Sequence, residues 1–148
     1  MIKKCFQPSA QTNFASATLL VLRLITGVAF IIHGWGKIHS PLGWLPVNAP
    51  IQIPAIFQLL AAVSEFAGGI ALILGLLTPL ASFGISITML VAASVHMLVF
   101  KDPFITTSGG TSYELALIYF AIAIVLIAVG PGKFSLDKLI FGERSNKQ

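Results

Sequence analysis

Six ionisable side chains stand within or at the edge of long apolar runs: Arg23, His33 and Lys37 in the first run, Glu65 in the second, His96 in the third and Glu114 at the start of the fourth. A charged group at the centre of a bilayer costs about 2.5–3.5 kcal/mol on insertion scales, so such residues are rare and mark places where charge is paired or used. Five of them, His33, Lys37, Glu65, His96 and Glu114, are of types that can hydrogen-bond a small polar head group and pass protons. Arg23 shares one helical face with Gly27, Phe30, Gly34 and Lys37, because steps of three, four and seven residues return to the same side of a helix. Glu65 sits deep in its run. It needs a partner among Arg23, His33 and Lys37, or has to carry a proton.

Each residue also has a purely structural reading. Lys37 can snorkel to the interface, Glu114 can complement a helix N-terminus, His33 and His96 can be interhelical hydrogen-bonders, and an Arg23–Glu65 ion pair can be architecture alone. Other chemistries find less support. A ferritin-like carboxylate metal site needs Glu-x-x-His spacing, which does not occur, and a bundle of bulky side chains leaves little room for haem between two histidines. No serine sits in a G-x-S-x-G setting, and the single cysteine, Cys5, excludes a CxxC pair and an internal disulfide. No metal or haem is therefore expected, and redox chemistry would require a bound cofactor or a redox partner subunit.

The elements that must position these residues follow from composition. Of 148 residues, enough for one domain, 9% are charged where a soluble domain carries about 25%. Hydrophobic residues make up 56% and mean hydropathy is +0.92, more apolar surface than one core of this size can hide. The chain is read as an all-α membrane protein, an antiparallel bundle of four transmembrane helices over residues 16–37, 54–77, 79–100 and 112–130, since about 20 apolar residues cross a bilayer. The runs are continuously apolar and lack the alternation of a membrane barrel. A net charge of +4 comes from scattered basic residues rather than a stripe, which argues against nucleic acid.

Breaker residues set the boundaries. Leu76-Leu77-Thr78-Pro79 predicts a tight turn with Pro79 opening the third helix. The proline-rich connection at 38–53 is itself apolar and is expected to cap the bundle. Gly130-Pro131-Gly132 stops the fourth helix, after which Ser135 can cap a short interfacial helix, with Asp137 in its first turn and Phe134 stapled to Leu139. Ala67, Ala71 and Gly75, at four-residue spacing and beside Gly68 and Gly69, predict a face where backbones approach closely. Met1-Ile2-Lys3-Lys4 resembles a signal n-region, but the polar stretch 7–13 and the long first run make that run a retained span. Counting inward along each helix puts Arg23 in the inner half, while the other five, with Glu65 near the midplane, converge on one outward-opening half of the bundle.

Several of these motifs are familiar as a set. Arg23-Leu24 with Gly27, then Phe30-Ile31-Ile32-His33-Gly34-Trp35-Gly36-Lys37, resembles the opening helix of the DoxX family of small bacterial membrane proteins. Glu65-Phe66-Ala67-Gly68-Gly69, Leu74-Gly75-Leu76-Leu77-Thr78, Tyr113-Glu114 and Gly130-Pro131-Gly132-Lys133-Phe134-Ser135-Leu136-Asp137 follow in family order. The resemblance implies a four-helix inner-membrane protein, and an association with quinol oxidase and quinone-reducing systems from which the family takes its name. Three functions stay open on this reading: a quinone-linked component of a membrane redox system, a non-enzymatic subunit or scaffold of a larger complex, and a small-solute transporter. Against the last, no broken helix or inverted repeat is visible.

Lys3, Lys4, Lys133, Lys138, Arg144 and Lys147 flank the two ends of the chain, against only Lys37 and Lys101 at the opposite ends of the spans. The positive-inside rule then places both termini in the cytoplasm. Reporters fused after Met1 and at Gln148 should read cytoplasmic, and reporters within 38–53 or 101–111 external; a terminus found outside would invert every depth given above.

Overall fold

A computed structural model of the chain describes residues 6–8, 11–107 and 109–142. Cys5 and the basic residues Lys3, Lys4, Arg144 and Lys147 lie outside the described residues. Helix α1 (Asn13–Ile38) opens where the Thr12 hydroxyl accepts a hydrogen bond from the Ala15 backbone N–H at 3.1 Å. This is the ordinary way to satisfy one of the orphan donors of a first turn. Helix α2 (Ala55–Leu74) ends at Gly75, whose φ of +63° supplies the left-handed cap, and α3 (Thr78–Val95) follows after Leu77, with Pro79 in its first turn as anticipated. A π-helical turn, His96–Phe100, extends α3, and α4 (Glu114–Val129) and the short α5 (Leu136–Phe141) complete the order.

No strand occurs among the described residues. Asn13–Ile38, Ala55–Leu74 and Thr78–Phe100 are each long and apolar enough to cross a membrane, whereas α4, at 16 residues, is shorter than the 112–130 run from which it was expected. The reason lies at its start, where the chain stays non-helical through Tyr113 and Glu114 becomes the first helical residue. Phe30 of α1, Leu72 of α2, Ile85 of α3 and Leu126 of α4 are fully buried and share one core with Leu19, Met89 and Ala123. Outside that core the surface is dense in exposed Ile, Leu, Val and Phe, such as Ile25, Ile32, Phe57, Leu80 and Leu98. A hydrocarbon solvent accounts for such a surface and water does not.

The close approach of helices uses a different row from the one spacing predicts. Ala67 is exposed and Gly75 serves as a cap; the seam between α1 and α2 instead joins Gly27 and Gly34 to Gly69. A Cβ at Gly69 would lie 2.7 Å from the Gly27 carbonyl oxygen, and one at Gly34 would lie 2.5 Å from the Phe66 backbone nitrogen. Gly68, one residue on, faces Ile85 of α3. The α5 staple also does not form: Phe134 and Leu139 are 51% and 80% exposed, and α5 is held by Ser135 as its cap and by the buried Asp137.

Because the neighbours of Gly34 are backbone atoms that cannot yield cheaply, Gly34→Ala should destabilise the protein by about 1–3 kcal/mol in detergent unfolding. Gly36→Ala, with nothing within 4 Å of the added methyl, should leave the melting temperature within error of wild type.

Candidate functional site

The α1–α2 seam brings a base and an acid together. Lys37, at the last turn of α1, donates from Nζ to both carboxylate oxygens of Glu65, at 2.6 and 2.7 Å. The Glu65 side chain is 2% exposed and that of Lys37 27%, so the carboxylate is interior and the ammonium reaches it from the edge. Lys37 therefore turns inward and does not snorkel. Of the three partners open to Glu65, the ammonium one turn beyond His33 is the one it takes, and Gly34 on the same face makes this approach sterically feasible.

The connection at 38–53 closes over this pair. The Trp44 ring lies over Lys37 Nζ at 4.7 Å, a cation–π distance. Its indole N–H donates to the Gln58 carbonyl at 2.9 Å, while the buried Gln58 side chain accepts from the Leu45 N–H and donates to the Ile53 carbonyl. One glutamine thus fastens the loop at both ends. Nothing in the spacing of charged residues points to Trp44 or Gln58; the only sequence signal was the apolar, proline-bearing character of the loop.

The remaining residues separate. His33, one turn before Lys37, packs its ring 6.4 Å from those of both Phe30 and Tyr119, which places it where α1 meets α4. His96 is paired elsewhere, its Nδ1 2.7 Å from Asp102 Oδ2 across the π-helical turn. That hydrogen bond holds the Asp102 carboxyl below the usual carboxylate range. Glu114 stands in the first turn of α4, where a carboxylate complements the helix dipole. Among the described residues no three His, Cys, Asp or Glu side chains gather in a way that could hold a metal ion.

Arg23 does not reach Glu65. Its guanidinium is fully buried near the opposite end of α2, donating from Nε to the Leu72 carbonyl at 3.0 Å and from its terminal nitrogens to the carbonyls of Ile73, Pro131 and Phe134. Asp137 completes this end by accepting from the N–H groups of Leu77 and Thr78, at 2.6 and 2.9 Å, while its own N–H donates to the Gly75 carbonyl. The first-turn acid of a short helix is in fact the N-cap ligand of α3. An arginine whose donors end on four carbonyls is an architectural element.

Residues 18–98 match the DoxX family. The chain belongs to it. The match takes in Arg23, His33, Lys37, Glu65 and His96, whereas Glu114 and Asp137 lie beyond it. The chain is similar to the inner membrane protein YqjF of Escherichia coli (strain K12), with 30% identity across 82% of this chain and 91% of that protein. It is 27% identical, across 90% of this chain and 94% of the relative, to a Bacillus subtilis (strain 168) protein named "Putative oxidoreductase CatD". An uncharacterized Haemophilus influenzae protein is 33% identical across 83% and 90%. No solved structure gives a significant match. Family membership, the apolar helices and the lipid-suited surface together make this a membrane protein, and put the Lys37–Glu65 pair in its apolar interior.

Removing one partner of a buried ion pair leaves a charge uncompensated, at a cost of about 3–5 kcal/mol. In thermal unfolding, Lys37→Met should therefore be the most damaging of the single variants, because the enclosed carboxylate cannot swing to water as the lysine can. Glu65→Ala should cost more than Glu65→Gln, since glutamine retains an acceptor for the ammonium. Equal and negligible losses in all three would show that the pair is solvated.

Proposed function

We propose that this DoxX protein is an inner-membrane bundle of four antiparallel spans with both termini cytoplasmic, and that its Lys37–Glu65 pair receives a quinone-like head group as part of a membrane redox system. The observation that carries this reading is a proton-holding acid–base pair in an apolar interior, covered by one indole ring. Two of the three ammonium hydrogens are spent on Glu65, and the ammonium lies under Trp44. A planar head group with carbonyl oxygens is complementary to such a place, the ring by stacking on an aromatic face and the oxygen by accepting from Lys37. Glu65 is then the group that holds or returns a proton, with His33 and Tyr119 on the neighbouring helix contact, and His96 and Glu114 farther along the polar half. A bound quinone would supply the two-electron chemistry, and a partner subunit the electrons. The oxidoreductase name of the Bacillus relative supports a redox role.

A second reading is favoured at the other end of the molecule. Arg23 and Asp137 spend their hydrogen bonds on backbone groups, as a scaffold for a larger complex would need and a catalyst would not.

Titrating a soluble short-chain quinone while following thermal stability separates the two. Wild type should be stabilised, by about 2.7 kcal/mol at a hundredfold excess over Kd. Trp44→Leu should need roughly tenfold more quinone for the same shift, about 1.4 kcal/mol of lost stacking and cover. No shift in wild type at saturation would leave the scaffold reading in possession.

A further inference from the structure

The end of α3 remote from the Gly75 cap carries a second acid–base arrangement, one that owes nothing to the Lys37–Glu65 pair. The π-helical turn at His96–Phe100 closes on Lys101, whose φ of +56° is left-handed and turns the chain back on itself. Asp102 consequently returns to the residue that began the turn: its N–H donates to the His96 carbonyl at 3.0 Å and its carboxylate meets His96 Nδ1 at 2.7 Å. A lysine in the left-handed region and a π turn are both locally unfavourable, and here their joint product is one carboxylate behind one imidazole.

A carboxylate can only accept, so the Nδ1 that faces it carries the hydrogen. In the neutral ring this leaves the lone pair on Nε2, the arrangement by which a carboxylate orients a histidine base. The His96 side chain is 30% exposed, against 15% for Asp102, so the ring is the more accessible of the two. The other titratable groups on the adjoining segments are Lys101, next in the chain, and Tyr113 and Glu114 at the start of α4, which packs against α3. Asp102 is the one hydrogen-bonded to the ring among the described residues.

We propose that His96 and Asp102 form a proton-exchange site with the aqueous phase, in which His96 Nε2 takes up one proton from water and Asp102 is the positioning residue. The balance is simple: a neutral ring and a carboxylate, net charge −1, bind one proton and become an imidazolium–carboxylate pair of net charge 0, with no bond between heavy atoms made or broken. The hydrogen bond that keeps Asp102 ionised also keeps it from taking that proton itself. As an exchange point this site would serve proton traffic to chemistry at Lys37–Glu65, a use that rests on the reading under Proposed function; the exchange itself does not.

The test uses full-length protein labelled with 15N-histidine in detergent micelles, with His96 assigned among His33, His39 and His96 by His96→Gln. In neutral wild-type protein the His96 signals should be those of Nδ1–H with a lone pair on Nε2, outweighing the other tautomer by about tenfold, and lowering the pH should convert them to the imidazolium pattern. Asp102→Ala should reduce that tautomer ratio at least several-fold. Asp102→Asn, which keeps an acceptor for Nδ1, should keep the tautomer. A wild-type ring with its hydrogen on Nε2, a tautomer ratio untouched in Asp102→Ala, or a tautomer lost in Asp102→Asn would each overturn the proposal. The wild-type spectrum decides the first point whether or not the variants fold. A quinone titration without effect would count against the head-group reading alone and leave these outcomes unchanged.

Discussion

A carboxylate shut away from water must find a cation, and the position of that cation fixes how two helices can lie. Glu65 is enclosed on α2 and Lys37 comes from the last turn of α1, so their bonds of 2.6 and 2.7 Å demand that the two backbones run close together at that level. Gly34, one turn away and hard against Phe66, and Gly27 against Gly69 remove the side chains that would hold them apart. In lipid no hydrophobic drive pulls helices together, so small residues and polar bonds have to do it. The loop carrying Trp44 then becomes a necessity rather than an ornament. An ammonium at the rim of an apolar bundle needs cover on its remaining side, and the indole face gives it without adding a competing hydrogen-bond acceptor.

The opposite end of the bundle obeys the same constraint by other means. There, among the described residues, no carboxylate hydrogen-bonds Arg23, although the charge of Asp137 is near; carbonyls at the end of α2 and after α4 take its hydrogens instead. Asp137 does the converse for the unsatisfied N–H groups at the start of α3. A guanidinium and a carboxylate therefore each complete helix ends, joining the α2–α3 connection to the segment after α4.

These two solutions differ in how far a sequence can disclose them. That the chain is helical and lipid-embedded follows from uninterrupted apolar runs, and the tight turn at Pro79 from a proline where it can only open a helix. The candidates for Glu65 were also visible, because side chains three, four and seven apart share a face. What periodicity cannot supply is the choice between Arg23 and Lys37, since both lie on that face and only depth along the helix, set by packing against α2, separates them. His96 was read with the outward polar group because helical spacing carried through residue 100; the π turn and the left-handed Lys101 changed its neighbour to Asp102, which lay outside every apolar run. Asp137 was visible as an acid in a first turn, but its bonds reach 59 and 60 residues back, beyond any local pattern.

The Arg23 contacts also bear on the order in which the protein can be made. Its acceptors lie 49 residues onward at Leu72 and 108 and 111 residues onward at Pro131 and Phe134. When the first helix leaves the ribosome none of them exists, and when the second has followed only Leu72 and Ile73 do. The acceptor set of the guanidinium is therefore incomplete until α4 and the segment after it have been laid down. The final seal on the first helix is thus supplied by the segment after α4, 108 and 111 residues farther along the chain.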